Sequence, residues 1–328
     1  MKSRITVVIL VAVFFSTMNP CSSNAKRGST YDKVLLEAGY TPEVLQELST
    51  VQKKEFYDSY KNGLASVDTV VMEIDTLRNI DDYVDMSYDE KLQNGLEKSE
   101  IQKMDKQIEQ LRNMSDRELI DIFQTDKVGV RLIHDALKPD CSYYSTEEED
   151  IVASGSIASS ELTFSQSVID KSTKKKCKYK VRIEFNWKKW YFCGCFSDCI
   201  VIGWGGNLTQ STEKSSVKYY GQKFNKFDSS RFSSGKMTYK EITINAGGQY
   251  SFSQCDTWGN KAKKGNAVFY LSQKGKKNKT TKIISEFAHR VISVSSPSIG
   301  VSKEGPSASI TINTAYDSSA QNQNIITY

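Results

Sequence analysis

The chain holds two histidines and seven cysteines. His289 is the candidate general base, since imidazole titrates near neutral pH and can take and return a proton. It follows Phe287 and precedes an apolar run. His134 lies in a helical stretch and marks a helix face. The sequence contains no Gly-x-Ser-x-Gly elbow, no His-Glu-x-x-His helix and no Walker loop. Paired carboxylates would serve glycoside hydrolysis, but the second half of the chain is poor in acids. A secreted hydrolase using His289 is therefore one reading, set against a purely structural role for that residue.

The cysteines after Cys21 are Cys141, Cys177, Cys193, Cys195, Cys199 and Cys255. Cys193, Cys195 and Cys199 form the densest group. Zinc needs about four ligands in tetrahedral reach, and Cys-x-Cys-x-x-x-Cys is not a usual zinc spacing. An even number in an exported chain points to disulfides, with no metal and no cofactor. Cys193 and Cys195 are expected to pin their loop to neighbouring strands, with Cys177 and Cys255 as partners.

Lysines supply the strongest binding signal. They cluster at Lys174–Lys176 with Lys178, at Lys188 and Lys189, at Lys261 with Lys263 and Lys264, and from Lys274 to Lys282. Trp187 and Trp190 flank the second cluster, and Trp258 precedes the third. Basic loops beside aromatics suit an anionic cell-wall polymer or a lipid headgroup layer. The expected contact residues are Lys188, Lys189, Trp187, Trp190, Lys263, Lys264, Lys276 and Lys277. Lysines also solubilise loops and guard edge strands, which is the competing explanation. For an exported protein, nucleic acid is the less suitable partner.

The elements that must carry these groups begin with a leader. Lys2 and Arg4 precede an apolar run from Ile5 to Phe15, then small and polar residues to Ala25. That order is a secretory signal peptide over residues 1–25. The rival reading is a lipid anchor on Cys21. Charge divides the rest. Residues 26–140 carry a net −8 and residues 141–328 a net +11. Such asymmetry suggests two surfaces that face each other within one chain.

Residues 26–140 read as an acidic α-helical region. Thr41, Pro42 and Glu43 make a helix start. Ser49 or Thr50 caps the next helix, which ends near Gly63. Ser87 with Glu90 and Ser115 with Glu118 fit the capping box. Residues 141–150 read as an acidic linker. Residues 151–316 read as a basic β-sandwich domain, because the apolar period becomes two at Tyr179, Val181, Ile183 and Phe185. Cys199 to Trp204 is a continuous apolar strand, Gly265-Asn266 a turn, and residues 317–328 a flexible tail. The fold class expected is α+β multidomain: a helical region, then an antiparallel β-sandwich-like domain. Two stretches, Ile151–Val168 and Val291–Ile312, alternate small polar and apolar residues. Hairpins that cross membranes share that pattern, and so do ordinary sandwich strands.

The second half resembles uncharacterised secreted proteins of Bacillus-like Gram-positive bacteria. The residues that carry this are Asn186 to Trp190, Ser197 to Trp204, Phe287 to His289 and Ser293 to Gly300. Leu36 to Pro42 and Lys53-Lys54 add to it. The resemblance implies export and no catalytic residues. The leading expectation is a secreted, non-enzymatic protein whose basic β-domain binds an anionic envelope or membrane surface, with the acidic half as regulator, propeptide or stalk. A pore-forming or antimicrobial toxin is the alternative.

Overall fold

A computed structural model describes residues 30–93, 96–123, 127–139, 159–188, 196–223, 226–258, 260–275, 279–290, 298–304, 307–312 and 316–328. Three short helices come first: α1 (Thr30–Glu37), α2 (Pro42–Glu47) and α3 (Thr50–Lys61). Thr41 caps α2, its Oγ1 accepting from Val44 N, with Pro42 in the first turn. Ser49 and Gln52 form a capping box on α3. Gly63 then turns the chain out of α3 at φ +66°, a conformation that costs a glycine little.

A second helical group comprises α4 (Thr76–Asp85), α5 (Tyr88–Gln93), α6 (Lys98–Arg112), α7 (Asp116–Phe123) and α8 (Lys127–Ala136). The expected capping boxes at Ser87–Glu90 and Ser115–Glu118 are both formed. Ile80, Tyr83, Ile101, Met104, Leu119 and Ile133 bury one another, together with Phe196 from the β-region.

Between the two helical groups runs a strand, β1 (Ala65–Asp75), so residues 26–140 are not helical throughout. Val67, Thr69, Val70, Val71 and Ile74 are β-branched and fit a pleated surface better than a helix. The strand pairs antiparallel along its whole length with β2 (Ser159–Asp170), far away in sequence.

The remaining strands are β3 (Lys176–Trp187), β4 (Ser197–Trp204), β5 (Thr209–Lys223), β6 (Lys226–Gly235), β7 (Thr238–Thr243), β8 (Gly247–Ser253), β9 (Lys261–Lys274) and β10 (Thr280–Arg290). A hairpin of β11 (Ile299–Glu304) and β12 (Ser307–Ile312) follows, then β13 (Tyr316–Ser318) and β14 (Asn322–Thr327). The first sheet has the order β1-β2-β3-β9-β5-β6. The second is β13-β10-β4-β8-β7, with β14 also on β10. All pairings are antiparallel. Phe164, Phe185 and Trp187 from the first sheet share a core with Ile202, Trp204 and Phe287 from the second. The expected antiparallel, sandwich-like arrangement is present to that extent.

On β3, Tyr179, Val181, Ile183 and Phe185 point into this core, while Arg182 and Glu184 pair on the opposite face. Strand β4 reads as continuously apolar because both its faces are covered. Ile200, Ile202 and Trp204 join the shared core, and Cys199 and Val201 lie beneath the β11–β12 hairpin.

Two further expectations change. Gly265 and Asn266 lie inside β9 and make no turn. A Cβ at Gly265 would stand 2.6 Å from Phe185 and Met237, so the glycine serves close packing. Residues 317–328 form no loose tail. They supply most of β13 and all of β14, both laid along β10. Their amides are consumed inside: Gln166 Nε2 donates to Asn324 Oδ1 at 2.6 Å, and buried Asn322 donates to Phe164 O. Asn-rich composition was a poor guide there, because it reports polarity and not whether partners exist.

Candidate functional site

The predicted contact residues that the structure describes, Trp187, Lys188, Lys263 and Lys264, are engaged in separate contacts. Trp187 is fully buried, edge-on to Phe287 and to His289. Lys188 pairs with Glu161. Lys263 donates to Asn186 Oδ1 at 2.8 Å and to Trp187 O, and lies over the Phe227 ring. Burial, then the charge of Lys264, lowers its pKa to about 8. Lys264 pairs with Glu47, which also takes Lys218 at 3.4 Å. Lys189, Trp190, Lys276 and Lys277 lie outside the described residues, as do Cys141, Cys193 and Cys195.

The two helices α2 and α3 thus lay acids across the outer face of the first sheet. Glu47 holds Lys218 and Lys264, and Glu55 holds Lys171 and Lys180 at 2.9 Å each. Burial pushes both carboxyls up, but the lysine hydrogen bonds and charges outweigh it and hold them below the ordinary value.

A different group of lysines is left outside this arrangement. Lys174 and Lys175 form the exposed β2–β3 turn, Lys176 opens β3, and Lys274 closes β9. Lys176 and Lys274 stand directly opposite each other in the β3–β9 ladder. Like charges in that position repel and cost stability. The two loops are tied: Gly275 N donates to Lys175 O at 3.1 Å. Lys178 lies 4.0 Å from the Tyr270 ring, and exposed Lys279 hydrogen-bonds through its backbone to Tyr328. Among the described residues, none of these lysines makes an ion pair. Beside them lies a surface cavity of about 250 Å³ lined by Ser66, Asp170, Tyr179 and Thr327, among others. Point charges at this end can hold phosphate or carboxylate oxygens.

His289 sits elsewhere. It is 1 % exposed, with Nδ1 3.0 Å from the Asp198 carboxylate, which is itself fully buried. Gln254 Nε2 donates to Asp198 at 2.6 Å and to Arg290 O at 3.0 Å, and Arg290 N donates to Asp198. This network ties the start of β4 to the end of β10. A general base must reach substrate, whereas the His289 ring is buried between Trp187 and Asp198. Cys177, Cys199 and Cys255 are all buried, and no disulfide joins described residues. Cys177 and Cys255 stand beside opposite ends of β9, about 40 Å apart at strand rise, so they do not pair with each other. Burial, then Asp198, pushes the Cys199 thiol well above its usual range.

No family model and no curated protein matches the chain. Among solved structures it is similar to a "Pore forming protein", with TM-score 0.22, 10% identity, 51% of this chain and 85% of that one. It is also similar to "Clostridium perfringens delta-toxin", with TM-score 0.21, 7% identity, 51% of this chain and 83% of the other. Both scores lie below those of a shared fold.

Proposed function

We propose that this is a secreted, non-enzymatic protein that binds a phosphate-bearing anionic surface through the lysine end of its first sheet. The observation that carries this is the convergence of Lys174 and Lys175 in the β2–β3 turn with Lys176 and Lys274 at the adjoining strand ends, where the last two face each other. The acidic helices neutralise lysines on the sheet face and leave that end open, so the acidic half limits where a polyanion can bind. Binding of the full chain to anionic liposomes and to isolated cell walls, across a salt series, tests it. Affinity should fall steeply with salt. Lys174→Glu with Lys274→Glu should weaken binding at least tenfold at low salt. Wild-type affinity in that variant, or no binding to either surface, would sink the proposal.

The β11–β12 hairpin favours a second reading, membrane activity. Its cross-strand pairs Ile299–Ile312 and Val301–Ile310 are apolar, while Gly300–Thr311 and Ser302–Ser309 are small and polar. The hairpin is docked on the second sheet by its apolar face. A hairpin that left this seat would offer one face to lipid and one to water. A Cβ at Gly203 would stand 3.4 Å from Ala308 Cβ, close to disulfide range. Gly203→Cys with Ala308→Cys should therefore lock the hairpin when oxidised. Under this reading the wild type releases dye from vesicles, and the oxidised lock abolishes release until reduced. Leakage that survives the lock removes the hairpin from the mechanism.

A further inference from the structure

Helix α2 lies on the outer face of the first sheet with its acids placed against its own stability. Glu43 and Glu47 are four residues apart, so like charges share one face of the helix and weaken it in isolation. Glu47 also ends α2, where open carbonyls disfavour a carboxylate and no basic residue of the last turn offsets them. The sheet beneath has the reverse problem. Asn186, Lys264 and Lys218 stand in one row across β3, β9 and β5. Lys264 and Lys218 are directly opposite each other in their ladder, where like charges repel.

One carboxylate resolves both. Glu47 Oε1 pairs with Lys264, and Oε2 pairs with Lys218 at 3.4 Å, so each oxygen takes one lysine. Lys264 is steadied over the Tyr220 ring, 5.5 Å from its centroid. Beside the carboxylate lies a cavity of about 30 Å³, lined by Glu43, Glu47, Ser216, Lys218, Lys264 and Asn266, among others. That space admits a further oxygen. Two lysines, a position for a two-oxygen bridge between them and adjoining polar room are what a phosphate group requires. The place is also within reach of solutes, since the side chains of Glu47 and Lys218 are 31% and 41% exposed. Glu47 therefore stands where two oxygens of a free phosphate would sit.

We propose that Lys218 and Lys264 form a phosphate-binding site that the chain's own Glu47 occupies, which makes α2 an internal plug that an external phosphate displaces. This site is separate from the lysine end and does not rest on that reading. The test uses the full chain carrying Lys174→Glu and Lys274→Glu, which removes the other site, and titrates it with tripolyphosphate at low salt by calorimetry. An internal competitor lowers the fraction of open sites, so its removal by Glu47→Gln should tighten binding about tenfold or more. Glu37→Gln, on an exposed residue of α1, makes the same change in net charge and should leave affinity within about twofold. Lys218→Ala with Lys264→Ala, added to Glu47→Gln, should abolish the gain. With Glu47 intact, saturating tripolyphosphate should quicken hydrogen exchange in α2. Near-UV circular dichroism verifies the fold of each variant. No gain with Glu47→Gln, an equal gain with Glu37→Gln, a gain that outlives the two lysines, or unchanged exchange in α2 would each overturn the proposal.

Discussion

The outer faces of the two sheets are covered in contrasting ways. On the first sheet, helices α1 to α3 bury Leu35, Val44, Leu45 and Phe56, and tie themselves down with Glu47 and Glu55 on four lysines. On the second, the β11–β12 hairpin brings Val301, Ile310 and Ile312 onto a bed that includes Gly203 and Gly247. Thr243 Oγ1 also donates to Val301 O, and Lys303 Nζ donates to Asn207 Oδ1 at 3.3 Å. The first cover is tuned by charge and the second by shape. A charge-held cover answers to pH and salt, whereas a shape-held one answers to volume.

The sharpest break is at the glycine bed. A Cβ at Gly247 would lie 2.2 Å from Ile202 O and 2.7 Å from Val301 Cγ1. Gly247→Ala should cost about 3 kcal/mol or more in urea unfolding, because backbone must move. A loss below about 1 kcal/mol would mean that the hairpin seat is loose.

Lys263, beside the first cover, should give the next largest effect. Its folded pKa of about 8 is depressed from 10.5. The unfolded chain therefore binds more protons between those values, and stability rises with pH through that window. The gain is on the order of 2–3 kcal/mol by linkage. Lys263→Met should flatten that rise, measured from pH 7.5 to 9.5 by chemical unfolding. An unchanged slope would mean that the lysine is better hydrated than its burial implies.

Glu47→Gln with Glu55→Gln sharpens the comparison directly. Side chains of both acids remain about a quarter to a third exposed, so the double variant should lose only about 1–2 kcal/mol at neutral pH. Both folded pKa values lie below 4.5. Their contribution is present above that value and is lost as pH falls. High salt should narrow the gap between variant and wild type. Hydrogen exchange should quicken in α1–α3 at acid pH before it does in the hairpin. The smallest effect is Thr41→Ala, which removes the α2 cap and should cost about 1 kcal/mol.

Much of the local structure was legible beforehand. Thr41-Pro42, Ser87-x-x-Glu90 and Ser115-x-x-Glu118 announce helix starts because each satisfies its orphan donors within three residues. The alternation from Tyr179 to Phe185 announces β3 for the same local reason. β1 was missed although its β-branched run is visible, because acidic helices flank it and its partner β2 is remote. Of the candidate site, the lysine clusters were visible in the sequence but their accessibility was not: Trp187, one of the two tryptophans expected beside Lys188 and Lys189, packs into the core, and Lys264 is taken by Glu47.

The sequence by itself determined the charge division between halves, the caps and the two periodicities, since these depend on neighbours within a turn or along a strand. Only tertiary structure decided which lysines stay open. Lys264 and Lys174 are equivalent as residues, but Glu47 reaches the first and no described carboxylate reaches the second. Likewise Asn322 and Asn324 become core, and Gly247 comes to lie where a Cβ would meet Ile202 O and Val301, through partners that sequence distance conceals. Charge and polarity are properties of a residue, whereas neutralisation and burial belong to the contacts that folding brings together.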